Sequence, residues 1–343
     1  MRKTFPQISK FNHPNRDYNS LYIPTVLLPP TKEDEFLAKE IIELYSCILR
    51  KQTTGEWSFI DNFKRKEYLR CLIEKDVKSL SKLLRNFFIT DISYGLVSPS
   101  VEEFNDQNLD IILADLDATE EFAPFPKIND ISSSKQIGNP FGLDNSESVI
   151  LPDSPRHFYF ASQLLNLSTQ SGKSGILEIG GGYGGVISML RKLKCNSPYI
   201  NIDLPETGLI CYYYLKKLGI RVEFLTDFVD DFKSNTCYII PNYMLKLFNY
   251  DSMGVVFNSN SLSEMTEETI IDYFSFIQRD IKPDYIYHQN SNFVLFPESV
   301  RHIEIISDNF PINLNIYEMI YKMISPFHGG SGRYRIYLYK KIL

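Results

Sequence analysis

The sequence predicts an α/β protein in which a doubly wound, mostly parallel sheet of seven strands follows an α-helical N-terminal extension. Three observations carry this. Apolar strand-like runs alternate with helix-like stretches from Ile176 onward, the first run ends in the glycine-rich turn ILEIGGGYGG, and the last two runs alternate with period two. A parallel βαβ series closed by an antiparallel pair accounts for all three.

Residues 1 to about 30 carry Pro6, Pro14, Pro24, Pro29 and Pro30 and read as a loop-like arm. Thr31, followed by Glu33, Asp34 and Glu35, caps an amphipathic helix with Leu37, Ile41, Leu44 and Ile48 at helical spacing. A second helical zone is expected over 64–88, with Tyr68, Leu72, Leu80, Leu83, Leu84 and Phe87 buried. Val101 to Phe122 is acidic and weakly helical, and a turn-rich stretch from about Ala123 to Ser148 marks a boundary or lid connection. Residues 1–150 are therefore expected to form a mainly helical extension that caps the substrate, and 151–343 the catalytic domain.

A helix starting after Pro155 places Phe158, Ala161, Leu164 and Leu165 on one face and leads into the first strand. Next come ILEIG, a helix over 184–194, YINIDL (199–204) and a helix over 206–218. RVEFLTD (221–227) and CYIIP (237–241) compete for the third strand; GVVFNS (254–259) is the fourth and DYIYHQN (284–290) the fifth. INLNIYE (312–318) and RYRIYLYKK (333–341), around a GGSG loop, read as the antiparallel pair at the sheet edge.

Composition narrows the function classes. A net charge of −6 and a pI near 5.5 create no global field toward nucleic acid or anionic membranes, so no nucleic-acid partner is expected. No apolar stretch approaches 18 residues and the N-terminus has no apolar targeting core, so no membrane insertion is expected. Five widely spaced cysteines without a C-x-x-C pair argue against a disulfide framework and a zinc site, and fit a reducing cytoplasm. A homo-oligomer is compatible with all of this.

The glycine run fits two ligands. As Gly180-x-Gly182-x-x-Gly185 it is a dinucleotide fingerprint, with Asp203 about where a ribose reader belongs. As Glu178-x-Gly180-x-Gly182-x-Gly184 it resembles the first motif of class I S-adenosylmethionine (SAM) methyltransferases, whose fold is Rossmann-like. The second reading is favoured: a carboxylate at Glu178 repels a pyrophosphate but suits the ammonium end of a methionine moiety. Asp203, closing the second strand, then accepts hydrogen bonds from the ribose hydroxyls. Adenine is expected to be read at the third strand by Asp227 or, if CYIIP is that strand, by Asn242 or a backbone amide, with Asn242 preferred.

The other strand ends supply the rest. The fourth runs into Asn258, Ser259, Asn260, Ser261 and Glu264, and the fifth places His288 and Asn290 near the cleft. His328 sits on a glycine-flanked loop able to close over substrate, while Arg156, His157 and Tyr159 precede the first strand and roof the site. LEIGGGYGG, IDLPET with YYYLKKLG, CYIIPNYML, NSNSLSEMT and YHQN together resemble the bacterial sugar O-methyltransferases found with surface-polysaccharide genes, over roughly Pro155 to the C-terminus. The resemblance implies that Glu178, Gly180, Gly182 and Asp203 hold SAM, and that Glu264 lies at the active site. The expected cofactor set is Glu178, Gly180, Gly181, Gly182, Gly184, Asp203, Leu204, Asn242 and Asn258, and Arg156, His157, Tyr159, Tyr183, Asn260 and Asn290 are expected to bind substrate.

Methyl transfer to a hydroxyl needs a base, and the candidates are His288, Glu264 and His328, in that order. No D-x-D or H-x-x-E spacing points to a metal. The expected acceptor is a sugar or nucleotide-sugar, in the second case with Arg156, Arg301, Arg333 or Arg335 as phosphate partners. An amine or phosphoramidate acceptor, a non-catalytic SAM-binding scaffold and a nicotinamide-dependent sugar oxidoreductase stay open on the sequence.

Overall fold

The computed structural model describes residues 20–48, 64–123, 130–293, 305–328 and 331–342. Most of the expected N-terminal arm, part of the 123–148 connection, Arg301 and two glycines of the GGSG loop lie outside the described residues.

A two-residue strand, β1 (Leu21–Tyr22), precedes α1 (Lys32–Cys47), which opens on a reciprocal cap: Thr31 Oγ1 accepts from the Asp34 N–H and the Asp34 carboxylate accepts from the Thr31 N–H at 2.8 Å. The helical zone over 64–88 divides into α2 (Lys66–Glu74) and α3 (Val77–Arg85). Lys75 takes a left-handed conformation, and Asp76 accepts from the Ser79 N–H at 3.0 Å to start a new helix. After α4 (Asp106–Phe122) come β2 (Ser133–Ser134), β3 (Gly142–Asn145) and β4 (Ser148–Ile150). With β1 they form a small antiparallel sheet in the order β1-β3-β4-β2.

From α5 (Ser154–Gln170) the chain builds the large sheet: β5 (Gly175–Ile179), α6 (Gly185–Lys192), β6 (Tyr199–Asp203), α7 (Pro205–Lys217), β7 (Val222–Phe224) and β8 (Cys237–Pro241). There follow β9 (Met253–Ser259), α8 (Glu267–Phe276), β10 (Tyr285–Ser291), β11 (Tyr317–Ile324) and β12 (Tyr334–Lys341). The order is β11-β12-β10-β9-β5-β6-β8-β7. β5 to β10 run parallel, while β12 is antiparallel to both β10 and β11.

The strand count differs from the seven expected. Both competitors for the third strand are used: β8 lies against β6, and the three residues of β7 extend the edge beyond it, giving eight. β11 also begins five residues later than INLNIYE suggested, because the 312–316 stretch turns into the strand instead of pairing.

Period-two alternation along each strand divides the core. Ile176, Tyr199, Val255, Phe257 and Tyr287 face α5, α6 and α7, whereas Ile179, Ile202, Val256 and Ile286 face α8. Leu37, Ile41, Leu72, Leu84 and Phe87 of the first three helices and the turn after them join the first of these clusters. The chain leaves β5 toward β6 on one side and returns to β9 on the other, so a crevice opens between them beyond the strand ends. Among the described residues no helix is long and apolar enough to cross a membrane.

Candidate functional site

The crevice is built on the β5 turn. Gly180, Gly182 and Gly184 have φ of +70°, +58° and +92°, a region that side chains disfavour. Space is equally restrictive at Gly181, where an added Cβ would lie 2.5 Å from Glu178 Oε2 and 2.7 Å from Asn201 Oδ1. Strand β6 holds the turn from beside it: the Gly181 N–H donates to Asn201 Oδ1 at 3.0 Å and the Gly182 N–H to Asp203 Oδ2 at 2.9 Å. Asn201 carried no sequence signal beyond being an amide inside an apolar strand.

Two carboxylates bracket this turn. Glu178 is 2% exposed and accepts from the Tyr199 hydroxyl on β6. Burial pushes its carboxyl up to about 7 against that hydrogen bond, and the charge of Asp203 adds to the rise. Asp203 is likewise raised to about 7 by burial, although the N–H groups of Leu204 and Gly182 favour its ionised form.

Both acids line a cavity of about 600 Å³. Gly180, Gly181, Gly182, Leu204 and Asn242 line it too, and Asp227 is not part of the wall. The wall also includes Arg156, His157, Tyr183, Asn260, Glu264 and His328. Arg156 Nη2 pairs with Asp153 Oδ1 at 2.7 Å and Nη1 donates to Ser259 Oγ at 2.7 Å. His157 Nδ1 lies 3.3 Å from the Tyr183 hydroxyl, and burial followed by the Arg156 charge holds the imidazole neutral, down to about 3. His328 adopts φ +59°, and its N–H donates to Asp115 of α4 at 3.1 Å. Its Nε2 is buried with no hydrogen-bond partner among the described residues, and burial, then Arg156, lowers its pKa to about 4.

Five expected site residues do not reach the cavity. Asn258, His288 and Asn290 share the strand parity of Val256 and Ile286 and so point to the α8 face. His288, 1% exposed, stacks on Tyr337 at 4.6 Å between centroids, with burial lowering its pKa to about 3. Asn290 donates to Asn258 Oδ1 at 2.8 Å and accepts from the Ser263 N–H at 3.1 Å, while Asn258 Nδ2 donates to the Ile179 carbonyl at 2.7 Å. This pair joins the ends of β5, β9 and β10 underneath the site. Tyr159 lies about 200° around α5 from His157 and packs on Phe327 at 5.1 Å. Gly184 faces α7, where a Cβ would come 2.9 Å from Cys211 Sγ.

Other wall residues carried no sequence signal. Tyr94, Leu96, Val97 and Ser98 form a roof from the N-terminal part of the chain. Arg65, 1% exposed, holds it in place by donating to the carbonyls of Ile92 and Tyr94 at 3.1 and 3.2 Å and to Thr207 Oγ1 on α7 at 2.8 Å. Asp153 adds a second tie by accepting from the Ser98 N–H at 3.1 Å.

No family model and no curated protein matches the chain. Methyltransferases are among the solved structures similar to it. The mitomycin 7-O-methyltransferase MmcR is 15% identical, with a TM-score of 0.39 and 56% of each chain covered, so little more than half of that enzyme is spanned. The geranyl diphosphate C-methyltransferase from Streptomyces coelicolor A3(2), in complex with Mg2+, geranyl-S-thiolodiphosphate and S-adenosyl-L-homocysteine, is 11% identical, with a TM-score of 0.40 and 56% of this chain and 78% of that one covered. The CcbJ methyltransferase from Streptomyces caelestis is 13% identical, with a TM-score of 0.39 and coverages of 55% and 90%. What the crevice holds is decided by its own side chains.

Proposed function

We propose that the chain is a cytoplasmic, SAM-dependent O-methyltransferase that moves a methyl group to a hydroxyl of a sugar or nucleotide-sugar for bacterial surface polysaccharide. The observation that carries the cofactor is the pair of carboxylates, Glu178 and Asp203, bracketing the glycine turn and facing one cavity. A dinucleotide pyrophosphate brought to this turn would meet two acids. The SAM ammonium and ribose hydroxyls instead bring positive charge and further donors to these buried carboxylates. In this reading Glu178 receives the ammonium and Asp203 the ribose, with Gly180, Gly181, Gly182, Leu204 and Asn242 as the surrounding wall.

Bound SAM supplies a methyl group made electrophilic by its sulfonium. The protein's part is to align a hydroxyl with it and remove the proton. A positioned base contributes typically about 10² to 10⁴-fold, and alignment much of the rest. His328 fits that role, being neutral and in the wall with Nε2 unpartnered among the described residues, and Glu264 is the second candidate. Arg156, His157, Tyr183 and Asn260 supply the donors and acceptors a polyol requires. Residues 1–150 act as the cap, with the segment at Tyr94 to Ser98 excluding water from the reacting atoms.

The test is calorimetric titration with S-adenosylhomocysteine, with NAD⁺ and NADP⁺ as controls. Micromolar binding of S-adenosylhomocysteine alone is expected. Binding of a nicotinamide dinucleotide in its place would reassign Glu178 and make the chain an oxidoreductase.

A further inference from the structure

We infer that the acceptor carries neither phosphate nor carboxylate: it is an uncharged or cationic polyol, a free or glycosidic sugar and not a nucleotide-sugar. This narrows the methyltransferase reading above and rests on it. Among the described residues the cavity wall holds six carboxylates, Glu103, Asp153, Glu178, Asp203, Glu264 and Asp272, against the two cationic side chains Arg156 and Lys246. Both cations are engaged. Arg156 pairs with Asp153 through Nη2 and donates to Ser259 through Nη1, its buried Nε having no partner among the described residues, and Lys246 Nζ lies 2.7 Å from Asp272 Oδ1. Lys246 also belongs to the Asn242–Leu247 turn.

Among the described residues Arg156 is thus the buried cation of the wall, and its charge is already matched by Asp153. His157 and His328 do not compensate, because burial keeps both rings neutral. Of the other arginines the sequence suggested for phosphate, Arg301 lies outside the described residues, and Arg333 stands outside the wall, over the Tyr334 ring at 5.1 Å with Nε 3.4 Å from Ser291 Oγ and its charge felt at His328. Arg335 donates to the backbone carbonyls of Gly332 and Tyr334. Neutral hydroxyls, by contrast, match this collection of carboxylates, imidazoles and amides, and an ammonium group would be welcome.

The full chain is titrated first with S-adenosylhomocysteine, and the loaded protein then with uridine diphosphate. The expected result is no uridine diphosphate binding tighter than about 1 mM, improved at least about tenfold by Glu103→Lys, an exposed change that leaves the core intact. Tighter binding by the unaltered chain, above all if lost in Arg333→Ala, overturns the inference, as does a Glu103→Lys protein with no gain. In parallel, label from methyl-labelled SAM is offered to methyl glycosides and to sugar 1-phosphates and uridine-diphosphate sugars. Label confined to the uncharged acceptors supports the inference; label on a phosphorylated one overturns it and leaves the methyltransferase reading standing. Failure to bind S-adenosylhomocysteine instead refutes the methyltransferase reading itself.

Discussion

His288 and His328 show how far a side chain's identity is from its role. Burial holds both rings neutral, near 3 and 4 respectively, and both Nε2 atoms lack a partner among the described residues. Location separates them. His288 is sealed among Tyr337, Phe310 and Phe274 on the α8 face, whereas His328 belongs to the cavity wall. Once an acceptor is found, His328→Ala should lower turnover by about 10² to 10⁴-fold while S-adenosylhomocysteine affinity, measured by calorimetry, stays within about twofold. His288→Phe should leave turnover nearly unchanged. A loss of turnover confined to the His288 variant would reverse the assignment. The sequence could place both histidines near strand or loop ends, but parity along β10 depends on where that strand stops, three residues beyond His288.

The pair β5 and β6 is the element on which the site depends. One strand carries Glu178 and the other Tyr199, Asn201 and Asp203, so the turn is held by hydrogen bonds that cross between neighbours. Its pH dependence has a definite sign. Glu178 titrates near 4.5 in an unperturbed setting and near 7 in the folded chain, so the ligand-free fold binds the extra proton and loses stability as pH rises from about 4.5 to 7. The contribution is at most about 3 kcal/mol. Urea unfolding of Glu178→Gln should therefore show a flatter pH profile than the native chain over this window, with higher stability at pH 7. Its S-adenosylhomocysteine affinity should fall by about 1.5 to 3 kcal/mol, the loss of a charged hydrogen-bond partner. Identical profiles for the two proteins would show that Glu178 titrates in the fold as it does in the unfolded chain. The glycines and both acids were legible as a motif, because a tight turn and a ligand-facing carboxylate demand particular residue types at close spacing. Asn201 and Tyr199 were not, since nothing local marks which polar residue a neighbouring strand will present.

At the scale of the molecule, the N-terminal helices are anchored to the sheet domain by a buried charge. Asp34 of α1 accepts from the Tyr213 hydroxyl at 2.7 Å and pairs with Lys217 Nζ at 3.1 Å, both on α7. Burial would raise the carboxyl, yet the Thr31 N–H, the Tyr213 and Thr31 hydroxyls and Lys217 outweigh it and hold the pKa below the usual range. Its stabilisation is thus complete above about pH 4 and is lost on acidification below that. Asp34→Ala should destabilise the chain by about 1 to 3 kcal/mol in urea unfolding, since it leaves the buried Tyr213 hydroxyl without its acceptor and Lys217 with Glu33 as its remaining acid. A change below about 1 kcal/mol would mean that α1 contributes little to the fold. The roof over the cavity depends on the same junction, through Arg65 and Thr207.

The sequence by itself determined the α/β class, the parallel series with its antiparallel finish, the capped start of α1 and the glycine turn between two acids. Each is a local property, written in periodicity, cap chemistry or the φ demands of a few residues. Tertiary structure alone decided that β7 and β8 both enter the sheet, that Asn258, His288 and Asn290 lie behind the site, and that Tyr94 to Ser98 cover it. It also decided the acidic balance of the wall, because charges distant in sequence meet only when the strands assemble. Register, parity and the packing of one element on another are long-range facts, and no window of the chain contains them.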